Sequence, residues 1–134
     1  MSILTVDRET VRLFAAADAV AILAFVLAGE YQHSMLAYDA ANPLRFVAVV
    51  APFAVAWVVA APLLRAYGPG ARSWRGLFGW TVLAWLGADV LAQILLLTGV
   101  FPIGFDPIFA AVVAAFGTLF LWIARSAALL ASRR

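Results

Sequence analysis

The 134-residue chain has no cysteine, no lysine and a single histidine, and charged residues make up only 12% of it. Without cysteine, disulfides, thiolate-held metals and cysteine nucleophiles are excluded. All nine basic residues are arginines, giving a net charge of +2. They form no run on a polar module, so nucleic-acid binding lacks its electrostatic footprint. No Ser-His-Asp order, Walker loop or dinucleotide fingerprint is present. An enzyme is therefore not expected, and no cofactor is implied.

What remains is apolar. Hydrophobic residues make up 66% of the chain, and the mean hydropathy is +1.03. A soluble domain this small cannot hide so much apolar surface, because a compact globule leaves much of its chain at the boundary. Lipid as solvent removes the contradiction. Four apolar stretches, at about residues 11–28, 46–64, 77–97 and 107–124, are each long enough to cross roughly 30 Å of hydrocarbon at 1.5 Å per residue. The first, with its basic flank, could pass for a signal peptide. Asp18 inside its apolar core and three further spans speak against cleavage.

Local signals divide the spans. Asn42-Pro43 and Gly68-Pro69-Gly70 read as turns, Ser73 as a helix N-cap, and Asp106-Pro107 as an N-cap followed by proline in the first turn. Pro52 and Pro62 would break a soluble helix but are tolerated inside a membrane span. Arg8, Arg12, Arg65, Arg72, Arg75, Arg125, Arg133 and Arg134 are assigned to one side and only Arg45 to the other. The positive-inside rule then predicts both termini in the cytoplasm. The expected fold is all-α: one domain, an integral-membrane antiparallel four-helix bundle, multi-pass in the cell membrane. The lipid bilayer is its first partner.

Asp18, Ile22, Phe25, Gly29 and His33 recur at helical spacing and predict an inward-facing stripe on the first span. Asp89 and Gln93 lie one turn apart on the third. An ionised carboxylate at helix centre is unfavourable by at least ~2.5 kcal/mol, so such groups usually face a bundle interior or a water cavity. Counted from the cytoplasmic ends, Asp18 lies about 10 Å deep and Asp89 about 18 Å deep, within possible reach of each other. Two readings follow. Asp18, Asp89, Gln93 and His33 form a proton or small-solute pathway, or the acids are hydrogen-bonded helix contacts, with Gln93 and Thr81 as partners. Glu30 and His33 share a face at i, i+3, the spacing of carboxylate-bridged metal sites, and form a metal candidate. Small residues at Gly29, at Ala48, Pro52, Ala56 and Ala60, and at Ala110, Ala114 and Gly117 predict close helix packing.

Asp18 is followed by Phe25 at +7, Gly29 at +11 and His33 at +15. With Pro52-Phe53, with Gly76, Trp80 and Gly87, and with Phe109, Phe116, Phe120 and Arg125, this pattern resembles the prokaryotic membrane-protein family catalogued as domain of unknown function 3054. The resemblance covers nearly the whole chain. It implies four spans and brings no activity; Glu30, Asp89 and Gln93 lie outside the matched positions. Two functional classes fit: a small transporter or channel-like protein using intramembrane carboxylates, or an accessory or structural protein. The first could be a homo-oligomer, since four helices enclose little space; the second would bind another membrane protein.

Overall fold

A computed structural model describes residues 6–134 of the chain. Four long helices are apolar enough to cross a membrane: α1 (Arg8–Gln32), α3 (Pro43–Leu63), α4 (Trp74–Leu96) and α5 (Pro107–Ser132). A short α2 (Leu36–Ala41) lies between α1 and α3, and a 3-10 turn at Pro69–Arg72 precedes α4. The predicted spans are all present, but α5 runs eight residues past Ala124 and α2 was not expected.

The caps explain several boundaries. Ser73 accepts from the Gly76 amide at 3.1 Å, and Asp106 Oδ1 accepts from the Ile108 and Phe109 amides at 2.8 and 3.2 Å, with Pro107 opening α5. Asp7 begins α1 earlier than predicted. Its Oδ2 accepts from the Thr10 amide at 3.0 Å and the Thr10 hydroxyl at 2.8 Å. Helices α1 and α3 both end in Schellman turns, with Ser34 (φ 58°) and Arg65 (φ 65°) in the left-handed region. The Met35 amide donates to Glu30 O at 2.8 Å and the Ala66 amide to Ala61 O at 3.0 Å. The second turn stops α3 abruptly and directs Ala66 and Tyr67 back toward the bundle.

Cross-helix pairs fix the antiparallel arrangement. Phe78 meets Trp122 and Trp85 bonds to Val113, so α4 and α5 run in opposite senses. Asp18 meets Arg125 and Phe25 meets Phe120, which does the same for α1 and α5. Helices α3 and α4 pack closely, as do α4 with α5 and α1 with α5, while α1 and α3 touch more sparingly. Phe25, Phe53, Trp57 and Trp85 fill the centre, with Phe53 and Trp85 stacked at 6.5 Å. Val20, Leu23, Val58, Leu86, Val90 and Ile123 point outward, as a lipid-facing surface requires.

The start of α1 is tied to the α3–α4 turn. The Asp7 amide donates to Tyr67 O at 2.8 Å, and Arg72 donates to the Thr10 hydroxyl at 3.1 Å and lies 3.2 Å from Asp7. The Thr10 hydroxyl, then its amide, and to a lesser extent Arg72, hold the Asp7 carboxyl below the usual carboxylate range. A depressed folded value means that its stabilisation is present above the ordinary 3.8 and is lost as pH falls through the lower value. Acidification through that range should loosen the first turn, read as faster intrinsic-rate-corrected hydrogen exchange at Thr10. Asp7→Asn, which keeps a capping oxygen, should remove the pH dependence; the same acid response in that variant would refute the assignment.

Candidate functional site

The most polar point in the bundle lies where α1, α5 and the α3–α4 turn meet. Asp18 is 1% exposed and Arg125 is 0% exposed. Arg125 Nε donates to Asp18 Oδ1 and Nη2 donates to Oδ2, both at 2.7 Å, a bidentate pair. Arg125 Nη1 donates to Ala66 O at 3.0 Å and to the Thr81 hydroxyl at 3.2 Å. The Tyr67 hydroxyl donates to Asp18 Oδ2 and accepts from Trp57 Nε1 at 3.2 Å. The rings of Phe14, Trp57 and Tyr67 lie 4.4, 5.4 and 5.2 Å from the guanidinium carbon. Burial, and then the Asp18 carboxylate, push the Tyr67 phenol well above its usual range, so it stays protonated and remains a donor. Both Asp18 oxygens are occupied and the cation is wrapped in aromatic rings. Such a pair joins α1 to α5 and gives each Asp18 oxygen at least one charge-assisted donor.

Arg125 is therefore not a solvent-facing charge at one membrane side. Its helix continues to Ser132, and the charge is neutralised by Asp18 inside the bundle. Nor is Asp18 partnered by Asp89 or Gln93. Asp89 accepts from Gln93 Nε2 at 3.0 Å along its own helix. Thr81 does join the polar cluster, but through Arg125. Gln93 Oε1 and the Thr118 hydroxyl are buried without a hydrogen-bond partner among the described residues.

The first-span stripe holds for Asp18, Ile22 and Phe25, which are buried, and fails beyond them. Gly29 is half-buried with open space where a Cβ would stand, and His33 is exposed as the C-cap of α1. Gly29 is thus no packing contact. The other small residues divide: Pro52, Ala56, Ala60 and Gly117 are buried, while Ala48, Ala110 and Ala114 are half-buried. Glu30 is not held for a metal with His33. Arg45 Nη1 donates to Glu30 Oε2 at 2.5 Å and to Asp39 Oδ1 at 2.6 Å. No group of three or more potential metal ligands occurs among the described residues.

Beyond Phe25, α1 and α5 part. A half-open cavity of about 750 Å³ lies there, floored by Val49 and Phe53 of α3 and walled by Phe25, Gly29, Phe109 and Phe120. Ala28, Val112, Phe116 and Leu119 also line it and are exposed, so it opens between α1 and α5 toward the lipid-facing side. Glu30, His33, Arg45 and Asp106 stand at its polar end. Asp18, Asp89 and Gln93 do not line it. Its size falls within the range of about 300–1,000 Å³ usual for small-molecule sites.

Sequence reasoning placed neither Arg125 nor Tyr67 in the site. The signal for Arg125 was present: Ala127, Ala128, Leu129 and Leu130 continue the apolar helix beyond it, and a deep acid calls for a base. Tyr67 depends on a turn geometry that residue types do not disclose. No curated protein and no solved structure matches the chain. Residues 15–128, which include Asp18, Tyr67, Arg125 and the walls of the cavity, match the family described as Protein of unknown function (DUF3054), and the chain belongs to that family.

Proposed function

We propose that the protein is a non-enzymatic, multi-pass binding protein of the cell membrane that accepts an apolar molecule from the bilayer into the cleft between α1, α3 and α5. The observation that carries this reading is the separation of the cavity from the two deep acids: its lining includes neither Asp18 nor Asp89. Asp18 has both oxygens hydrogen-bonded, by Arg125 and Tyr67, which suits a helix-locking contact and not a group that takes up and releases protons. The orientation rule supports both termini in the cytoplasm. With Arg125 buried, seven arginines still gather at the end holding the termini and the α3–α4 turn, against Arg45, which is ion-paired, at the other. The cleft then occupies the outer half of the bilayer.

The test uses protein in lipid nanodiscs and an uncharged alkyl diazirine. Saturable photolabelling of cleft residues such as Phe25 and Phe116 is expected, and Gly29→Trp should abolish most of it. The space beside Gly29 admits the ring, and replacing glycine removes a helix-weakening residue. Labelling spread evenly over outward-facing residues, unchanged by Gly29→Trp, would defeat the reading. Vesicles carrying the wild-type protein or Asp89→Asn should hold a pH gradient as long as protein-free vesicles. A gradient dissipated by the wild type and not by Asp89→Asn would favour proton-linked transport.

A further inference from the structure

The two ends of the cleft differ in chemistry, and together they select an occupant. We infer that the cleft binds a lipophilic cation, a molecule with a bulky apolar body and a quaternary or protonated nitrogen-type charge; this rests on the cleft being a binding site at all.

The body of the cavity is aromatic. Phe25, Phe53, Phe109, Phe116 and Phe120 all line it. Four of them form one continuous wall, with Phe25 against Phe53 at 5.8 Å, Phe25 against Phe120 at 6.2 Å and Phe53 against Phe109 at 6.3 Å, each edge to face. Aromatic rings bury apolar surface and attract a cation through their quadrupole, an interaction that strengthens when water is excluded.

The polar end carries more acid than base. Glu30 and Asp106 line the cavity beside His33, and its one arginine, Arg45, is shared between Glu30 and Asp39. Its Nη1 is taken up by those two carboxylates, whose combined charge outweighs its own. Asp106 spends Oδ1 on the α5 amides and keeps its negative charge near the opening. A phosphate-bearing lipid would bring a further negative charge against Glu30 and Asp106. The same rim attracts a cation that has no accompanying anion.

Tetraphenylphosphonium and tetraphenylborate, bodies of nearly the same shape and opposite charge, separate the charge requirement from simple apolar filling. With protein in nanodiscs of zwitterionic lipid, tetraphenylphosphonium should bind saturably and reduce diazirine labelling of the cleft, while tetraphenylborate should not compete. Gly29→Trp should abolish binding. Glu30→Gln should weaken cation binding by about tenfold, the loss expected when one nearby charge is removed from a partly water-excluded site. Asp106→Asn, which retains a capping oxygen and leaves the Arg45 cluster untouched, guards against misfolding of the first variant and should act in the same direction. In both variants labelling by the uncharged diazirine should persist. Equal binding of the borate, or an unchanged affinity for the phosphonium in both acid variants, would overturn the inference and leave the cleft as a neutral apolar site. Failure of the diazirine as well as the phosphonium to enter would remove the binding reading with it.

Discussion

Arg125→Leu is expected to destabilise the folded bundle by about 3–5 kcal/mol, the range for removing one partner of a buried ion pair. Asp18 would keep one donor, the Tyr67 hydroxyl, and lose the bidentate contact that satisfies both its oxygens. Water cannot replace that contact at a site where both side chains are buried. Ala66 O and the Thr81 hydroxyl would lose their guanidinium donor in the same step. The double variant Asp18→Leu/Arg125→Leu should recover most of the loss, because exchanging a buried pair for apolar side chains is often neutral or stabilising. Tyr67→Phe should lie far below both, at about 1 kcal/mol for one hydrogen bond. Unfolding of detergent-solubilised protein by increasing SDS, compared across this double-mutant cycle, gives the coupling between the two residues. If Arg125→Leu and the double variant unfolded alike, the cost would belong to lost packing of the long side chain and the ion pair would not be the lock.

That lock and the cleft have one physical origin. At the arginine-rich end, α1 and α5 are held together by Asp18 and Arg125, and α1 is fastened to the α3–α4 turn through Asp7, Thr10 and Arg72. At the other end Arg45 of α3 gathers Glu30 of α1 and Asp39 of α2, and no comparable contact joins α1 to α5 there among the described residues. Two helices pinned at one end and free at the other enclose a wedge, and phenylalanines fill its walls without closing it.

Much of this fold could be read from residue types. Four apolar runs, Ser73, Asp106-Pro107 and the turn at Gly68-Pro69-Gly70 act locally, so composition and spacing reveal them. The inward face of α1 was also legible from Asp18 to Phe25, where the spacing of a straight helix against a packed neighbour holds. It failed at Gly29 and His33 because α5 has moved away there, and no pattern on α1 records the path of α5. Arg125 was misplaced for a different reason. Counting arginines by side treats each as solvated, whereas a guanidinium paired to a deep carboxylate contributes nothing to orientation. Glu30 and His33 have the spacing of a ligand pair, yet Arg45, fifteen residues beyond Glu30, claims the carboxylate. Long-range partnership of this kind is set by topology and turn geometry, not by local pattern.

Gly117→Ala should reverse the sign that helix propensity alone would assign. In an unpacked helix, glycine to alanine is favourable by about 1 kcal/mol. Gly79 meets that condition: nothing lies within 4 Å of an added Cβ, and Gly79→Ala should be neutral or stabilising in the same SDS titration. At Gly117 the added carbon would stand 2.1 Å from Trp85 Nε1, 2.2 Å from Cε2 and 2.4 Å from Cζ2. Trp85 is 1% exposed, so the ring has no solvent to move into. It also packs on Phe25, Phe53 and Trp57 and donates to Val113 O at 2.8 Å. A shift large enough to relieve the clash breaks that hydrogen bond and displaces the central aromatic cluster. Overpacking of about 1–3 kcal/mol and an unpaired buried donor of about 1–3 kcal/mol outweigh the propensity gain, so a net loss of about 1–5 kcal/mol is expected. Gly87 is the intermediate case, because its clash at 2.5 Å is with Leu64 Cδ1, the end of a flexible side chain that can turn away. Trp85→Phe removes the atoms that Gly117→Ala would strike, so the two substitutions should be strongly non-additive. Additive losses would mean that the ring has room to yield and that α4 and α5 are not held in register by the contact of Gly117 with Trp85.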